Sequence, residues 1–524
     1  MVAEGGNDYK IRLYGKIQGG EEGSSTLELT INAPPQRGNC KASPTSGKPL
    51  ETEFTLKCEG FTDEEKPLSY EFFYSTSPKG QNKSLGSGLE DSREKVIFPN
   101  GLEKYDSKLY LYAKVTDNLG ASTTVEFSNT VEVKKEEINV KELQNKANEQ
   151  LESMISSGNI RETASFVLSL AEVLNDQSTS SDDKSVSTED KEESEKLREK
   201  LAIAVVDSAK VSDDTSLSDV AQFASTLTAV TNKPEQNTDK VVEKVSSLYN
   251  DASKAILAQA TGGDGASSKE IEEASTAVFG GAVNIIKSAD VKQKDETSTE
   301  KGQPKNNAQL EKVLGTLDTL SQALIASKVQ GEDATKIETQ SLSMGVSKED
   351  SETLGEEPVT INDTQVKLPQ NSTVFGNGTL DQVAMLSAVN LYPGGPGTKQ
   401  INNSQLVSFT LYQSGANNSR KEFVVKDVEP GKEISVMVPR KQRDVERRIT
   451  QSKLHSSKFN LHKFVILDNS SAVTIEAKPE IPVDVEVYVK VGGEPKPSQG
   501  EFDFNSTLSA SRTNSSNSSI SSYS

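Results

Sequence analysis

The chain has no tryptophan, two cysteines, two histidines and only 5% aromatic residues among 524. With 33% hydrophobic residues it cannot fill one large core, so its length divides into several modest cores joined by solvated segments. His455 and His462 have no soft ligands near them in sequence, which excludes a zinc site of ordinary spacing. The Gly-rich pieces at 262–265 and 393–397 lack the Lys-Ser/Thr that cradles phosphate, and no Gly-x-Ser-x-Gly elbow occurs. The acidic run Asp63, Glu64 and Glu65 lacks the alternating spacing of a calcium loop. We therefore expect no catalytic residue, no metal and no cofactor. No run approaches the roughly 20 apolar residues that span a bilayer, and MVAEGGNDYK lacks a charged-then-apolar leader, so membrane attachment or secretion is expected to depend on segments absent here. Basic character is lacking too. A net charge of −20, from 78 acidic and 58 basic residues, excludes nucleic acid or an anionic lipid face as partner.

What is present points outside the cell. Cys40 and Cys58 stand 18 positions apart, flanked by Pro34-Pro35 and Pro44. The alternation Thr52, Phe54, Leu56, Cys58 allows both thiols to share an inward sheet face. A disulfide there would stabilise by roughly 3 kcal/mol on the chain-entropy model, and two reduced core cysteines are the other arrangement. Asn-x-Ser/Thr occurs ten times: at Asn82, and then at Asn362, Asn371, Asn377, Asn402, Asn417, Asn469, Asn505, Asn514 and Asn517. Nine of these lie beyond residue 360, where composition alone would give roughly three. The last three, Asn505, Asn514 and Asn517, share a Ser/Thr-rich tail, and discounting them as compositional still leaves six in a region of predicted strands.

Period-2 alternation in Tyr9 to Ile31 predicts the closing strands of a preceding β module, residues 1–31. Residues 32–135 predict an Ig/fibronectin-III-like β-sandwich. Tyr70, Phe72 and Tyr74 share one face, Leu109, Leu111, Ala113 and Val115 another, and Thr116 to Gly120 forms a hairpin turn. The order of Pro, Gly, Cys and aromatic positions from Asn32 to Phe72, followed by Val-x-Asp-x-x-Gly-Ala at Val115 to Ala121, resembles the receptor-for-egg-jelly (REJ) module of the polycystin family. The family's usual tryptophan before Asp63 is Phe61 here, a change that bears on core packing.

From residue 136 the period becomes 3.6, predicting a helical subdomain over 136–330. Its first stripe runs through Val140, Leu143, Ala147 and Leu151 and stops at Gly158. Residues 176–196, with Val186 as their one apolar residue, predict a disordered insertion. A polar segment at 288–307 precedes the last stripe, Leu310 to Leu324. Strand patterns return over 331–505, including Phe423 to Val425, Phe464 to Leu467 and the alternating Val483, Val485, Val487 and Val489, and predict an antiparallel β-sandwich. Residues 506–524 predict a disordered tail. A helical bundle followed by a sequon-rich sandwich resembles the two subdomains of the autoproteolysis-inducing (GAIN) region of polycystins and adhesion receptors. That resemblance stops before the family's Cys/Trp proteolysis motif, and His455-Ser456-Ser457 lacks the cysteine frame of such a site.

The basic patch Arg440, Lys441, Arg443, Arg447 and Arg448 would suit sulfated glycans or a processing protease, or would simply be a solvated loop. The resemblance implies the extracellular region of a polycystin-like membrane receptor or cation channel on the plasma or ciliary membrane. Its action would be binding, adhesion or mechanical sensing, toward an extracellular protein or glycan. A secreted matrix glycoprotein and an adhesion G-protein-coupled receptor ectodomain are the alternatives, told apart by whether membrane spans follow.

Overall fold

The computed structural model describes residues 5–16, 20, 22–180, 188–262, 266–296, 307–369, 375, 378–389, 391, 406–414, 420–425, 433–438, 474–477, 485–490, 495–508 and 518–521. Two compact units result, Met1–Lys441 and Gln442–Ser524.

The first unit opens with a hairpin of β1 (Asp8–Lys16) and β2 (Glu22–Thr30), with Ile11 opposite Leu27 and Tyr9 opposite Leu29. Strand alternation gathers Tyr9, Ile11, Leu13, Leu27 and Leu29 on one face, where Leu13 is 74% exposed. The other face carries the ion pairs Lys10–Glu28 and Lys16–Glu22, each at 2.6 Å.

A β-sandwich follows, made of β3 (Asn39–Ser43), β4 (Ser46–Gly47), β5 (Glu53–Glu59), β6 (Ser69–Ser75), β7 (Lys83–Gly88), β8 (Ser92–Ile97), β9 (Lys108–Thr116), β10 (Ser122–Glu126) and β11 (Val131–Val133). One sheet runs β3-β5-β8; the other runs β4-β11-β9-β6-β7, with β10 paired to β9. The inward alternation predicted for Tyr70, Phe72, Tyr74, Leu109, Leu111, Ala113 and Val115 is observed, since all seven are buried. In place of a tryptophan, Phe98 bridges the layers, its ring centroid 5.1 Å from Phe54 of β5 and 5.5 Å from Tyr74 of β6.

Among the described residues seven helices form the middle: α1 (Val140–Ser157), α2 (Ile160–Ser180), α3 (Thr188–Ser208), α4 (Leu217–Val230), α5 (Asp239–Thr261), α6 (Ser268–Glu296) and α7 (Asn307–Ala326). Side-chain caps start several of them: Asn159 accepts from the Glu162 amide ahead of α2, and Ser267 from that of Glu270 ahead of α6. Asn139 accepts from the Glu142 amide, Ser216 from Asp219 and Thr238 from Val241. Gly158 ends α1 at φ 71°, a left-handed position that favours glycine. Gly281, inside α6, makes room for a neighbour: a Cβ there would lie 2.0 Å from the Tyr249 hydroxyl oxygen.

The expected disordered insertion at 176–196 is corrected at its two ends, because α2 runs to Ser180 and α3 begins at Thr188; residues 181–187 lie outside the described residues. Glu189 and Asp190 favour the positive N-terminal end of α3. Lys141 pairs with Glu189 and Glu193, and Gln144 donates to the Glu193 carbonyl, so tertiary contacts supply what apolar burial does not. Likewise α6 continues into the polar segment 288–307 as far as Glu296, and residues 297–306 lie outside the described residues.

Strands β12 (Thr335–Glu338), β13 (Leu342–Asp350), β14 (Val359–Ile361), β15 (Thr364–Lys367), β16 (Thr379–Ser387), β17 (Leu406–Ser414), β18 (Arg420–Glu422) and β19 (Ser435–Met437) complete the first unit. They form antiparallel sheets of order β12-β13-β16-β17-β18 and β14-β15-β19. The strand expected at Phe423 to Val425 is corrected, since β18 ends at Glu422 and 423–425 carry no strand, and the strand expected at Phe464 to Leu467 falls outside the described residues. In the second unit β20 (Thr474–Ala477) pairs with β23 (Ser518–Ser521), and β21 (Val485–Val489) with β22 (Phe504–Leu508). The expected sandwich of 331–505 is thus divided between the two units. From the tail expected as disordered, residues 518–521 supply β23, with Ile520 in register with Ile475.

Separate cores were expected for the β module and the helices. Instead one connected cluster of buried apolar side chains extends from Cys40 through Phe54, Leu143, Val167, Val245 and Phe279 to Met344. Among the described residues no helix is long and apolar enough to cross a membrane.

Candidate functional site

The residues that define the sequence motif meet at two points of the β module. Cys40 and Cys58 are directly paired in the β3–β5 register and joined by a disulfide, both fully buried. At the opposite end of the motif, Asp117 follows β9 and is 5% exposed. Its Oδ1 accepts from the amides of Leu119 (2.8 Å) and Ala121 (3.0 Å), and its Oδ2 accepts from Asn32 Nδ2 at 2.7 Å. Asn32 and Asp117, the first and nearly the last motif positions, thereby close the module. Gly120 completes the turn at φ 90°. Phe61 packs edge-on to Tyr70 at 6.2 Å. It fills the space a Cβ on Gly38 would need, 2.0 Å from the Phe61 ring. Asp117→Ala should lower stability by about 3 kcal/mol, since three donors lose their acceptor at roughly 1 kcal/mol each; a denaturant midpoint measures it.

Sequence patterns gave no sign of the junction where the β module seats on the helices. Strand β7 lies against α2 and α4, and a bulge opposite Phe72/Phe73 sets its course. Ser165 of α2 donates to the Leu85 carbonyl at 2.8 Å, and Ser169 donates to that of Ile97 at 2.7 Å. Arg93 of β8 reaches the Arg161 carbonyl and Ser165 Oγ at 3.2 and 3.0 Å, and burial pulls its pKa down to about 10. Gly86, at φ 106°, leaves space that Arg93 and Gln222 occupy. Lys83 pairs with Glu172, Lys114 with Glu273, Lys135 with Asp176 and Lys146 with Glu51. Beside this seam, an open groove of about 570 Å³ between the starts of α2 and α4 is spanned by Arg161, which grips Asp219 with two bonds of 2.6 and 2.9 Å. Such an arrangement can hold two domains in one orientation; it brings together no nucleophile and base.

Other predicted sites stay apart. Asn82, in the β6–β7 turn, and Asn362, in the β14–β15 turn, are exposed, and Asn505 is exposed on β22. Asn371, Asn377, Asn402, Asn417 and Asn469, with Asn514 and Asn517, lie outside the described residues. The same holds for His455, His462 and the patch Arg440, Lys441, Arg443, Arg447 and Arg448. The Asp63 carboxylate accepts from the Glu65 amide at 2.9 Å, and a hydrogen bond with Asp63 raises the Glu65 carboxyl pKa. Among the described residues no group of three His, Cys, Asp or Glu could hold a metal ion.

Comparison with known proteins bears on the first third of the chain most directly. Residues 1–169 match the REJ domain family. The polycystin family receptor for egg jelly of Homo sapiens is 23% identical over 360 residues, covering 65% of this chain and 15% of that protein. The protein of the same name in Mus musculus is 31% identical over 113 residues, 20% of this chain and 5% of its own length. The chain therefore spans a minor share of the curated relatives it matches.

Proposed function

We propose that this chain, which belongs to the polycystin/receptor-for-egg-jelly family through its REJ domain, is part of the extracellular region of a polycystin-like membrane receptor or channel, where it holds binding modules in fixed orientation and bears load. One observation carries the reading: the REJ β module and the helical bundle share a connected apolar core and a bonded seam, so force on one is passed to the other. A polar, partly ionic seam resists sliding because its donors and acceptors have no equivalent partners one register away. Ligands in keeping with the acidic surface are extracellular proteins or glycans, and placement on a ciliary membrane is the finer form of the proposal.

Single-molecule pulling on the full chain tests the mechanical part. The β module and the helices should yield in one step, whereas a bundle that unravels at low force before the module would defeat it. Expression of the full chain behind a secretory leader tests the extracellular part. Exposed Asn82 and Asn362 should carry glycans, giving a gel-mobility shift on glycosidase treatment that Asn82→Gln and Asn362→Gln each reduce. Unchanged mobility would count against extracellular placement.

A further inference from the structure

The junction contains an unbalanced charge cluster. Lys114 of β9 is 8% exposed, and its Nζ lies 3.0 Å from Glu273 Oε2 of α6. Directly across the β6–β9 register from Lys114 stands a second carboxylate, Glu71, whose Oε1 accepts from Ser84 Oγ of β7 at 2.8 Å. A third, Asp219 of α4, adds negative potential at Glu71 and is already gripped by Arg161 of α2. Arg93 of β8 is turned toward the Arg161 carbonyl and Ser165, and Lys83 of β7 toward Glu172. The carboxylates of Glu71, Glu273 and Asp219 thus meet the cations of Lys114 and Arg161, and a single bound proton would balance them.

We propose that this cluster makes the seat of the β module on the helical bundle pH-responsive, with Glu71 binding a proton in mildly acidic medium, which tightens the seat, and releasing it in mildly alkaline medium, which loosens it. Burial, the largest influence, raises Glu71 to about 7, against the opposing pull of Ser84 and Lys114. The folded value lies above the free one, so the closed state binds the extra proton. The resulting stability is full at low pH and declines as pH rises through about 7. The inference rests on the reading of the seam as a mechanical coupling.

The test is hydrogen exchange on the full chain, corrected for intrinsic rates, over residues 83–88 and 161–172 from pH 6 to 8. The opening equilibrium should rise about tenfold across that range, as expected for one proton with a closed-state pKa near 7. Glu71→Gln should abolish the slope and keep protection at its acid level. Glu273→Gln, at a half-exposed position that leaves the fold intact, should move the midpoint to lower pH, because one negative neighbour of Glu71 is gone. Strong protection with no slope in the wild type, or an unchanged slope in Glu71→Gln, overturns the proton step alone. Fast exchange at every pH overturns the coupling itself.

Discussion

Arg198→Ala should lower the stability of the first unit by about 3 kcal/mol, a larger loss than surface charge removal brings. Arg198 is 1% exposed inside the bundle. Its guanidinium donates to Gln236 Oε1 at 2.7 Å, to the Val230 carbonyl at 2.8 Å and to Asn175 Oδ1 at 2.7 Å. All three acceptors are neutral, and burial draws its pKa down to about 10. The buried cation is favoured by the Glu235 carboxylate and by its place at the C-terminal end of α4, where Val230 is the last helical residue and the helix dipole is negative. Asn175 joins in by donating to the Ala229 carbonyl at 3.0 Å. Truncation removes the donor from the buried Val230 carbonyl and from the half-buried Gln236 and Asn175 side chains, at roughly 1 kcal/mol each, partly offset by release of the charge's own desolvation. Arg198→Lys keeps the charge but not the planar fork, and should recover only part of the loss. Urea unfolding of the three proteins checks this, and equal midpoints for wild type and Arg198→Ala would refute the assignment of Arg198 as a hub.

Why this residue escaped the sequence reading is instructive. Position 198 sits beside Leu197 and four residues before Ala202, and α3 buries both faces of that corner, so the arginine falls inside a stripe wider than periodicity alone suggests. Single elements were legible wherever one side of them meets water. Gly158 ended α1 as predicted, and the alternations at Tyr70–Tyr74 and Leu109–Val115 gave their buried faces correctly. The motif's chemistry was half legible. Cys40, Cys58 and the Thr116–Gly120 turn were visible, but the Asn32–Asp117 bond joins residues 85 positions apart and carries no local signature. The seam was illegible for the same reason: Glu71 and Lys114 read as ordinary wet-face residues of β6 and β9, and only the fold brings Glu273 of α6 to Lys114. Polarity misled over 188–196, where helix formation is supported by Lys141 and Gln144 of another helix rather than by apolar burial.

Replacing both Cys40 and Cys58 by alanine should destabilise the β module by about 3 kcal/mol, because the 18-residue loop they close regains its freedom in the unfolded chain. The native ladder around the bridge survives the change. Ala42 still faces Leu56, the Cys58 amide position still donates to the Asp91 carbonyl at 2.8 Å, and Ser128 still donates to the carbonyl of residue 40 at 2.9 Å. The loss should therefore appear in the unfolding midpoint and not in the folded architecture. Since the module shares its core with the helices, it should not melt alone: the helical signal and the β signal should shift together. Reductant added to the wild type should reproduce the shift, whereas the double variant should not respond to it. Peptide mapping of oxidised material should recover the peptides of Cys40 and Cys58 linked. Two free thiols in secreted protein, or a double variant as stable as the wild type, would show that the module is held by its Asp117 turn and ring-packed core without help from the bridge. A helical signal unmoved while the β signal falls would instead separate the module from the bundle and remove the basis for the load-bearing reading.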